Sequence, residues 1–321
     1  MKKMTFIVLS FITCAFCISF VACGVTADDK NGIQTYTITY QNAETDNPTQ
    51  YTTNNKEIVL TSPTKQGYKF RGWFDPNDKQ VTVIPENSKG DLLLSARWEL
   101  QYVVKEIDTG YKILGLLDDF DTTKDFDLVI PEEYDGKAIT EIGAFAFGGL
   151  SHLKSIVIPD SVKIIEDRAF SDCIALTSVM IPDSVRNIGK NVFSNCTSLT
   201  SVTVPDGVTS IPYSAFAGCA GLTSIIIPKS VTFIGSAAFH GCSSLTSLVL
   251  PDSITLIDSF AFDNCPNLPF IDYQGTVEQW NSIDIIISDL DYERHFVKVH
   301  CTDGILTPSE IKHKIGIPLD C

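Results

Sequence analysis

A repeat of 23 residues fills the second half of the chain and restricts its fold more than any other feature. Phenylalanine keeps this spacing without exception, at Phe147, Phe170, Phe193, Phe216, Phe239 and Phe262. Leucine and isoleucine keep it at two further offsets, namely Leu153, Leu176, Leu199, Leu222, Leu245 and Leu268, and Ile142, Ile165, Ile188, Ile211, Ile234 and Ile257. Such a period is typical of a solenoid, in which each coil buries its apolar side only against its neighbours.

One repeat shows how a coil is expected to form. Val179 and Ile181 alternate with Met180, as in a strand whose alternate side chains point into the core. The turn at 182–184 follows, because proline fixes φ and Asp and Ser bond nearby backbone amides. The stretch Phe193–Cys196 is expected to close the coil as a short helical turn. Stacked coils then place a parallel sheet on one face.

The consensus C-x-x-L-x-x-V-x-I-P-x-x-V-x-x-I-x-x-x-A-F resembles the Treponema-type leucine-rich repeat of the BspA-like family. The resemblance runs from about Gln101 to about Ile285. It implies a mainly β protein, with a leucine-rich-repeat solenoid over residues 142–272, an N-terminal cap over 101–141, and a C-terminal cap and tail over 273–321. It also implies a bacterial surface protein engaged in adhesion and co-aggregation.

A second pattern precedes the repeats. The run Gly67–Phe74 (GYKFRGWF) resembles the signature of the Listeria–Bacteroides repeat, also known from internalin B. The resemblance implies a small β-grasp-like module over residues 35–100, used as a spacer or contact unit on surface proteins. The family's usual glycine pair after the first strand is replaced by Ala43-Glu44-Thr45, so that turn is expected to differ. Trp73 and Trp98 lie in apolar strands and are expected in the core.

The N-terminus predicts export. Residues 1–22 combine Lys2 and Lys3 with a long uncharged run, as in a signal peptide. The run Val21–Gly24 resembles a lipobox, which makes Cys23 the predicted lipidation site. Residues 23–34 are then a flexible linker. An uncleaved anchor and free secretion stay open as alternatives. All three place the protein outside the cytoplasm. The lipid-anchored alternative attaches it to the cell envelope, and the family resemblance implies exposure at the cell surface.

The cysteines form two groups. One row keeps the repeat spacing, at Cys173, Cys196, Cys219, Cys242 and Cys265, and is expected to consist of buried, reduced thiols, since cysteine serves well as a small core residue. Cys301 and Cys321 lie outside this row. In an exported protein they are the candidate disulfide.

Charge and motifs exclude several functions. The formal net charge of −15 repels phosphate backbones, so no nucleic-acid partner is expected. The sequence carries no nucleophile elbow, zinc-protease motif or phosphate-binding glycine loop. We therefore expect no enzyme, cofactor, metal or small-molecule substrate. Calcium binding is the less favoured interpretation of the row Asp160, Asp183, Asp206 and Asp252, which occupies turns after proline.

The outward strand positions predict a binding surface. One residue per coil lies between two core residues, and these are Val157, Met180, Thr203, Ile226 and Val249. Four of the five are apolar, and contiguous exposed apolar surface often marks a partner site. The alternative is that β-branched residues simply suit strands. The predicted function is noncatalytic binding of a protein or glycoprotein on a host or neighbouring cell. A structural lipoprotein of the cell's own envelope is the alternative.

Overall fold

The structure is a computed structural model that describes residues 33–286 and 298–314. The described chain divides into two compact units. One contains residues 33–62 and Gly72–Ala96, and the other contains Pro63–Arg71 and the described residues from Arg97 onward.

The N-terminal strands are β1 (Thr35–Gln41), β2 (Gln50–Thr52), β3 (Ile58–Val59), β4 (Tyr68–Phe74), β5 (Gln80–Val81), β6 (Val83–Ile84) and β7 (Leu92–Leu100). Five of them form a sheet in the order β2-β1-β7-β4-β5, in which β1 and β7 are parallel, and β3 pairs with β6. Trp73 is buried, as expected, and its indole N–H donates to the Thr61 carbonyl at 3.0 Å. Trp98 is only half-buried, against Phe70 at 5.4 Å between ring centroids. Residues 33–100 contain no helix, and the β-grasp-like assignment stays a prediction.

Five strands lead into the repeats, namely β8 (Tyr102–Ile107), β9 (Gly110–Leu116), β10 (Phe126–Val129), β11 (Glu133–Tyr134) and β12 (Lys137–Ile142). The coil strands follow as β13 (Leu153–Val157), β14 (Ile164–Ile165), β15 (Ser178–Met180), β16 (Asn187–Ile188), β17 (Ser201–Thr203), β18 (Ser210–Ile211), β19 (Ser224–Ile226), β20 (Phe233–Ile234), β21 (Ser247–Leu250), β22 (Leu256–Ile257), β23 (Phe270–Tyr273) and β24 (Asp284–Ile285). The end is formed by α1 (Val277–Ser282), β25 (Lys298–Cys301), β26 (Gly304–Leu306) and α2 (Pro308–Lys314).

The coils carry two rows of parallel strands. One row, which we call the first sheet, consists of the runs β10-β13-β15-β17 and β19-β21-β23-β25-β26. The other row, the second sheet, consists of the runs β16-β14-β12-β9-β8 and β18-β20-β22-β24. The predicted parallel sheet of a leucine-rich-repeat solenoid is confirmed. The second sheet was not predicted, although Ile164–Ile165 and its equivalents keep the same period.

The third side of each coil consists of turns, and the predicted helical turn at Phe193–Cys196 is wrong. Asn191 and Asn195 both have left-handed backbone, with φ of 56° and 60°. A residue in that region interrupts a right-handed helix. The segment is closed instead by single turns, such as the bond from the Cys196 amide to the Phe193 carbonyl at 3.2 Å.

The phenylalanine row is the centre of the core. Successive rings, from Phe147 to Phe262, stack with centroids 5.3 to 5.8 Å apart and with planes within 22° of parallel. Phe216 and its neighbours are fully buried, whereas Phe262 is only partly buried at the end of the row. Each ring therefore completes its burial on the rings of the adjacent coils.

The cysteine row joins the coils by a second contact. Each thiol donates to the carbonyl of the phenylalanine in the preceding coil, at 3.1 to 3.3 Å. All five side chains are buried. Burial raises the pKa of Cys173 and of Cys219 to about 12. These two thiols are thus held neutral, and a neutral thiol is a poor nucleophile.

The phenylalanine row predicts unequal effects of truncation along the solenoid. Phe216→Ala should lower the free energy of unfolding by about 3–5 kcal/mol, because it leaves a cavity that two neighbouring coils cannot fill. Phe262→Ala should cost less, since Phe262 is already partly exposed. Denaturant unfolding followed by circular dichroism measures both. Equal and negligible effects would contradict the stacked-coil arrangement.

The cysteine row predicts a loss of stability in alkali. The folded pKa of Cys219 lies above the unfolded value of about 8.5, so its contribution to stability is complete below that pH and is lost as pH rises toward 12. Cys219→Ala removes this dependence. The difference in unfolding free energy between wild type and Cys219→Ala should therefore shrink by about 1.4 kcal/mol per pH unit above about pH 9.

Urea unfolding at about pH 8 and about pH 10 measures that difference. Alkylation in denaturant without reductant, followed by mass spectrometry, is the control for the thiol state. A constant difference between the two proteins, or a bridge from Cys196 to Cys173 or Cys219, would contradict the role assigned to this row.

Candidate functional site

The outer face of the first sheet carries the candidate site. Each short strand reads exposed, buried, exposed, as in Ser178, Val179 and Met180. Alternation follows from strand geometry, which turns successive side chains to opposite faces. Val179 contributes to the core, so Ser178 and Met180 face outward. The equivalent residues of strands in the same register also face outward.

The predicted residues lie on this face. Val157, Met180 and Ile226 are 56%, 75% and 72% exposed, Thr203 is also exposed, and Val249 is half-buried. Val157 pairs with Met180 and Met180 with Thr203, while Ile226 pairs with Val249. We call these five residues the apolar row.

The ladder of hydrogen bonds beneath the apolar row is interrupted at its middle. Thr203 and Ile226 belong to different runs of the first sheet, because β17 and β19 do not pair. The second sheet stops at the same junction, between β16 and β18. One cause is local. Pro212 lacks the backbone N–H that the equivalent residues, such as Gly189 and Gly235, donate to the preceding coil.

Register extends the row at both ends. Val129 pairs with Val157, Val249 pairs with Asp272, and Asp272 pairs with His300. The C-terminal end of the face is therefore polar and charged. The 23-residue period leads from Val249 to Asp272, but it does not lead to Val129 or His300, each of which is separated from its partner by 28 residues.

Hydroxyl groups flank the apolar row, and sequence reasoning missed them. Ser178, Ser201, Ser224 and Ser247 are exposed two residues before the row. The threonines one position earlier are also exposed and donate to the preceding coil, as Thr200 does to the Thr177 carbonyl at 3.1 Å. The sequence feature that could have indicated them is the Thr-Ser pair, which recurs at one offset of the 23-residue repeat. The face thus offers apolar side chains beside a regular hydroxyl border.

The described part of the chain does not assemble a metal-binding group on this face. Across residues 33–286 and 298–314, no group of three or more His, Cys, Asp and Glu side chains is placed to hold a metal ion. The aspartates after proline are exposed turn residues. The same ranges contain no helix long and apolar enough to cross a membrane.

One predicted residue and one predicted pair fall wholly or partly outside the described chain. Cys23, the predicted lipidation site, lies outside the described residues, together with the signal peptide of residues 1–22. Cys301 lies half-buried in β25, but Cys321 is outside the described residues. Lipidation and the Cys301–Cys321 disulfide therefore stay predictions.

Two family models match the chain. The BspA type leucine rich repeat region matches in 6 copies, over residues 130–245 and 209–283. The Listeria-Bacteroides repeat domain matches residues 36–97. Comparison with curated proteins gave no match.

Several solved structures are similar. A leucine-rich-repeat protein of T. pallidum is 29% identical, with a TM-score of 0.50, over 53% of this chain and 78% of that one. A leucine rich cell surface protein of Faecalibacterium prausnitzii is 26% identical, with a TM-score of 0.33, over 49% of this chain and 62% of that one. A leucine-rich-repeat protein of Bacteroides ovatus is 24% identical, with a TM-score of 0.35, over 59% of this chain and 66% of that one. The T. pallidum structure supports the solenoid fold described above.

Proposed function

From the two family assignments we propose that the chain is a noncatalytic binding protein of the cell surface. It carries a BspA-type leucine-rich-repeat region, which follows a Listeria-Bacteroides repeat domain along the chain. Its partner is a protein or glycoprotein on a host cell or on a neighbouring cell. Binding occurs through the apolar row of the first sheet. The chain is held to the envelope by lipid on Cys23, without a cofactor.

The exposure of Met180 carries this proposal. Its side chain is 75% exposed in the middle of a strand. The tendency of β-branched residues to occupy strands accounts for Val157 and Val249, but methionine is not β-branched. Met180 adapts its shape readily, and unbranched thioether side chains are common on binding surfaces.

The surroundings of the row also support a binding role. The hydroxyl border beside Met180 and Ile226 supplies donors and acceptors at the rim of an apolar patch. A core of apolar contacts with a polar rim is the usual arrangement of a protein–protein interface. The row is short, and a partner held by it alone would bind weakly. Many tethered copies on one surface would raise the effective affinity.

Ile226→Asp tests the location of the site. The substitution places a charge on the apolar row and removes no core atom, because Ile226 is 72% exposed. We expect at least about a tenfold loss of affinity, since a buried unpaired carboxylate at an interface costs more than 1.4 kcal/mol. The melting temperature should change little. Surface plasmon resonance against a panel of purified extracellular-matrix proteins measures the affinity.

Ile174→Asp is the matched control. Ile174 is also apolar and exposed, at 47%, but it lies in the turn side of a coil and not on the first sheet. Its substitution should leave binding unchanged. The site is placed wrongly if Ile226→Asp binds every matrix protein as wild type does, or if the two variants lose affinity equally.

Cys23→Ser tests the anchor. A serine cannot accept the thioether-linked lipid, so the variant should accumulate as an uncleaved precursor without covalent fatty acid. Metabolic labelling with a fatty-acid analogue, followed by mass spectrometry of the N-terminus, measures this. Incorporation of label into the Cys23→Ser protein would refute the assignment of Cys23.

A further inference from the structure

One junction in the solenoid differs from the other described ones. It lies between the coil that contains Phe193 and the coil that contains Phe216, and we call it the central junction. Both sheets stop there, since β17 does not pair with β19 and β16 does not pair with β18. At the neighbouring junctions on either side, strands of both sheets pair in register.

The second sheet loses a backbone bond because of one residue. In other coils the residue after the repeated isoleucine donates its N–H to the preceding coil, at 2.8 to 2.9 Å, as Glu166, Gly189, Gly235 and Asp258 do. Pro212 occupies this position in the central junction and has no N–H to donate. The carbonyl of Ile188 therefore receives no such bond from the next coil.

A second departure lies at the neighbouring turn. Ser184, Ser230 and Ser253 each donate a hydroxyl to the preceding coil, at 2.6 to 2.7 Å. Gly207 stands at this offset in the central junction and has no hydroxyl. The guanidinium of Arg186 donates to the Val185 carbonyl instead, at 3.1 Å. This substitute comes from the same coil as its acceptor, so it does not join the two coils.

The first sheet is also weaker at this point. The Thr223 amide reaches the Thr200 carbonyl at 3.4 Å, whereas the equivalent bonds from Thr200 and Thr246 are both 2.9 Å long. A distance of 3.4 Å lies beyond the usual range for such a bond. Hydrogen bonds across the central junction are thus missing or long on two of its three sides.

The turn side remains intact. Across the central junction, the amides of Asn191, Phe193 and Asn195 donate to the carbonyls of the next coil at 2.7 to 2.9 Å. The Cys219 thiol donates to the Phe193 carbonyl, and the rings of Phe193 and Phe216 stack at 5.7 Å. One firm side opposite two weak sides is the arrangement of a hinge.

We propose that the central junction is a hinge at which the solenoid opens, so that the coils before it and the coils after it behave as two cooperative units. In a repeat protein each coil contacts only its neighbours, and the weakest interface therefore decides where cooperativity breaks. Opening separates Met180 from Ile226, because the two lie on opposite sides of the hinge. The inference rests on the hydrogen bonds of the fold and is independent of the proposed function.

Hydrogen exchange of the full chain tests the hinge. Amides in residues 207–211 should exchange at least about fivefold faster than those in 230–234, which is the effect of losing one inter-coil hydrogen bond. Pro212→Gly restores the missing donor with the residue that Gly189 and Gly235 already supply. It should slow exchange in 207–211 to the rate of its neighbours, while circular dichroism confirms the fold.

Asp258→Pro is the matched control, because it removes the equivalent donor at another junction, at a position that already carries a Cβ. It should raise exchange in residues 253–257 and leave 184–188 unchanged. Equal exchange at the three junctions of the wild-type chain overturns the hinge. So does a folded Pro212→Gly protein that exchanges in 207–211 as fast as wild type. The wild-type comparison decides the matter even if one of the variants does not fold.

Discussion

Contact between successive coils is the interaction on which the rest of this structure depends. A single coil of 23 residues has no second layer with which to cover its apolar side. Phe193 is buried because Phe170 and Phe216 stack on it at 5.3 and 5.7 Å. The thiol row connects the same neighbours, and paired strands also connect the coil of Phe170 to the coil of Phe193. Because each coil depends on the next, the offset of every residue in the repeat must be preserved.

The same constraint produces the candidate site. When coils stack in one register, outward residues of successive strands must form rows, whatever their chemistry. The serine and threonine rows fit such a surface, since hydroxyls hydrogen-bond to water or, as in Thr200, to the preceding coil. Met180 and Ile226 do not fit it, because each exposes a large apolar side chain to water. That contrast within one face favours binding as the reason for the apolar row.

The sequence predicted most of the fold, because the period of the apolar residues specifies which strands are neighbours. It therefore gave the pairing of Val157 with Met180 and of Met180 with Thr203. It did not predict the break between β16 and β18, because Pro212 replaces a backbone donor at an offset where side chains vary and the apolar period is undisturbed. The left-handed backbone at Asn191 was also missed, because residues without that local preference, such as Arg168 and Ala237, adopt it at the same offset and the neighbouring coils hold it. At the offset of Asn195 the recurring Gly, Asp and Asn carried a local signal that was overlooked.

Deletion of one whole coil tests the dependence on stacking most directly. Removing residues 182–204 takes out 23 residues and joins Ile181 to Pro205, which recreates the Ile-Pro step of the repeat. We expect a cooperatively folded protein. It should have the same circular dichroism per residue as the parent chain and a lower free energy of unfolding. A deletion one residue shorter, which keeps Val204, shifts every later offset and should abolish cooperative unfolding. Equal behaviour of the two deletions would contradict the claim that coil-to-coil register holds this protein together.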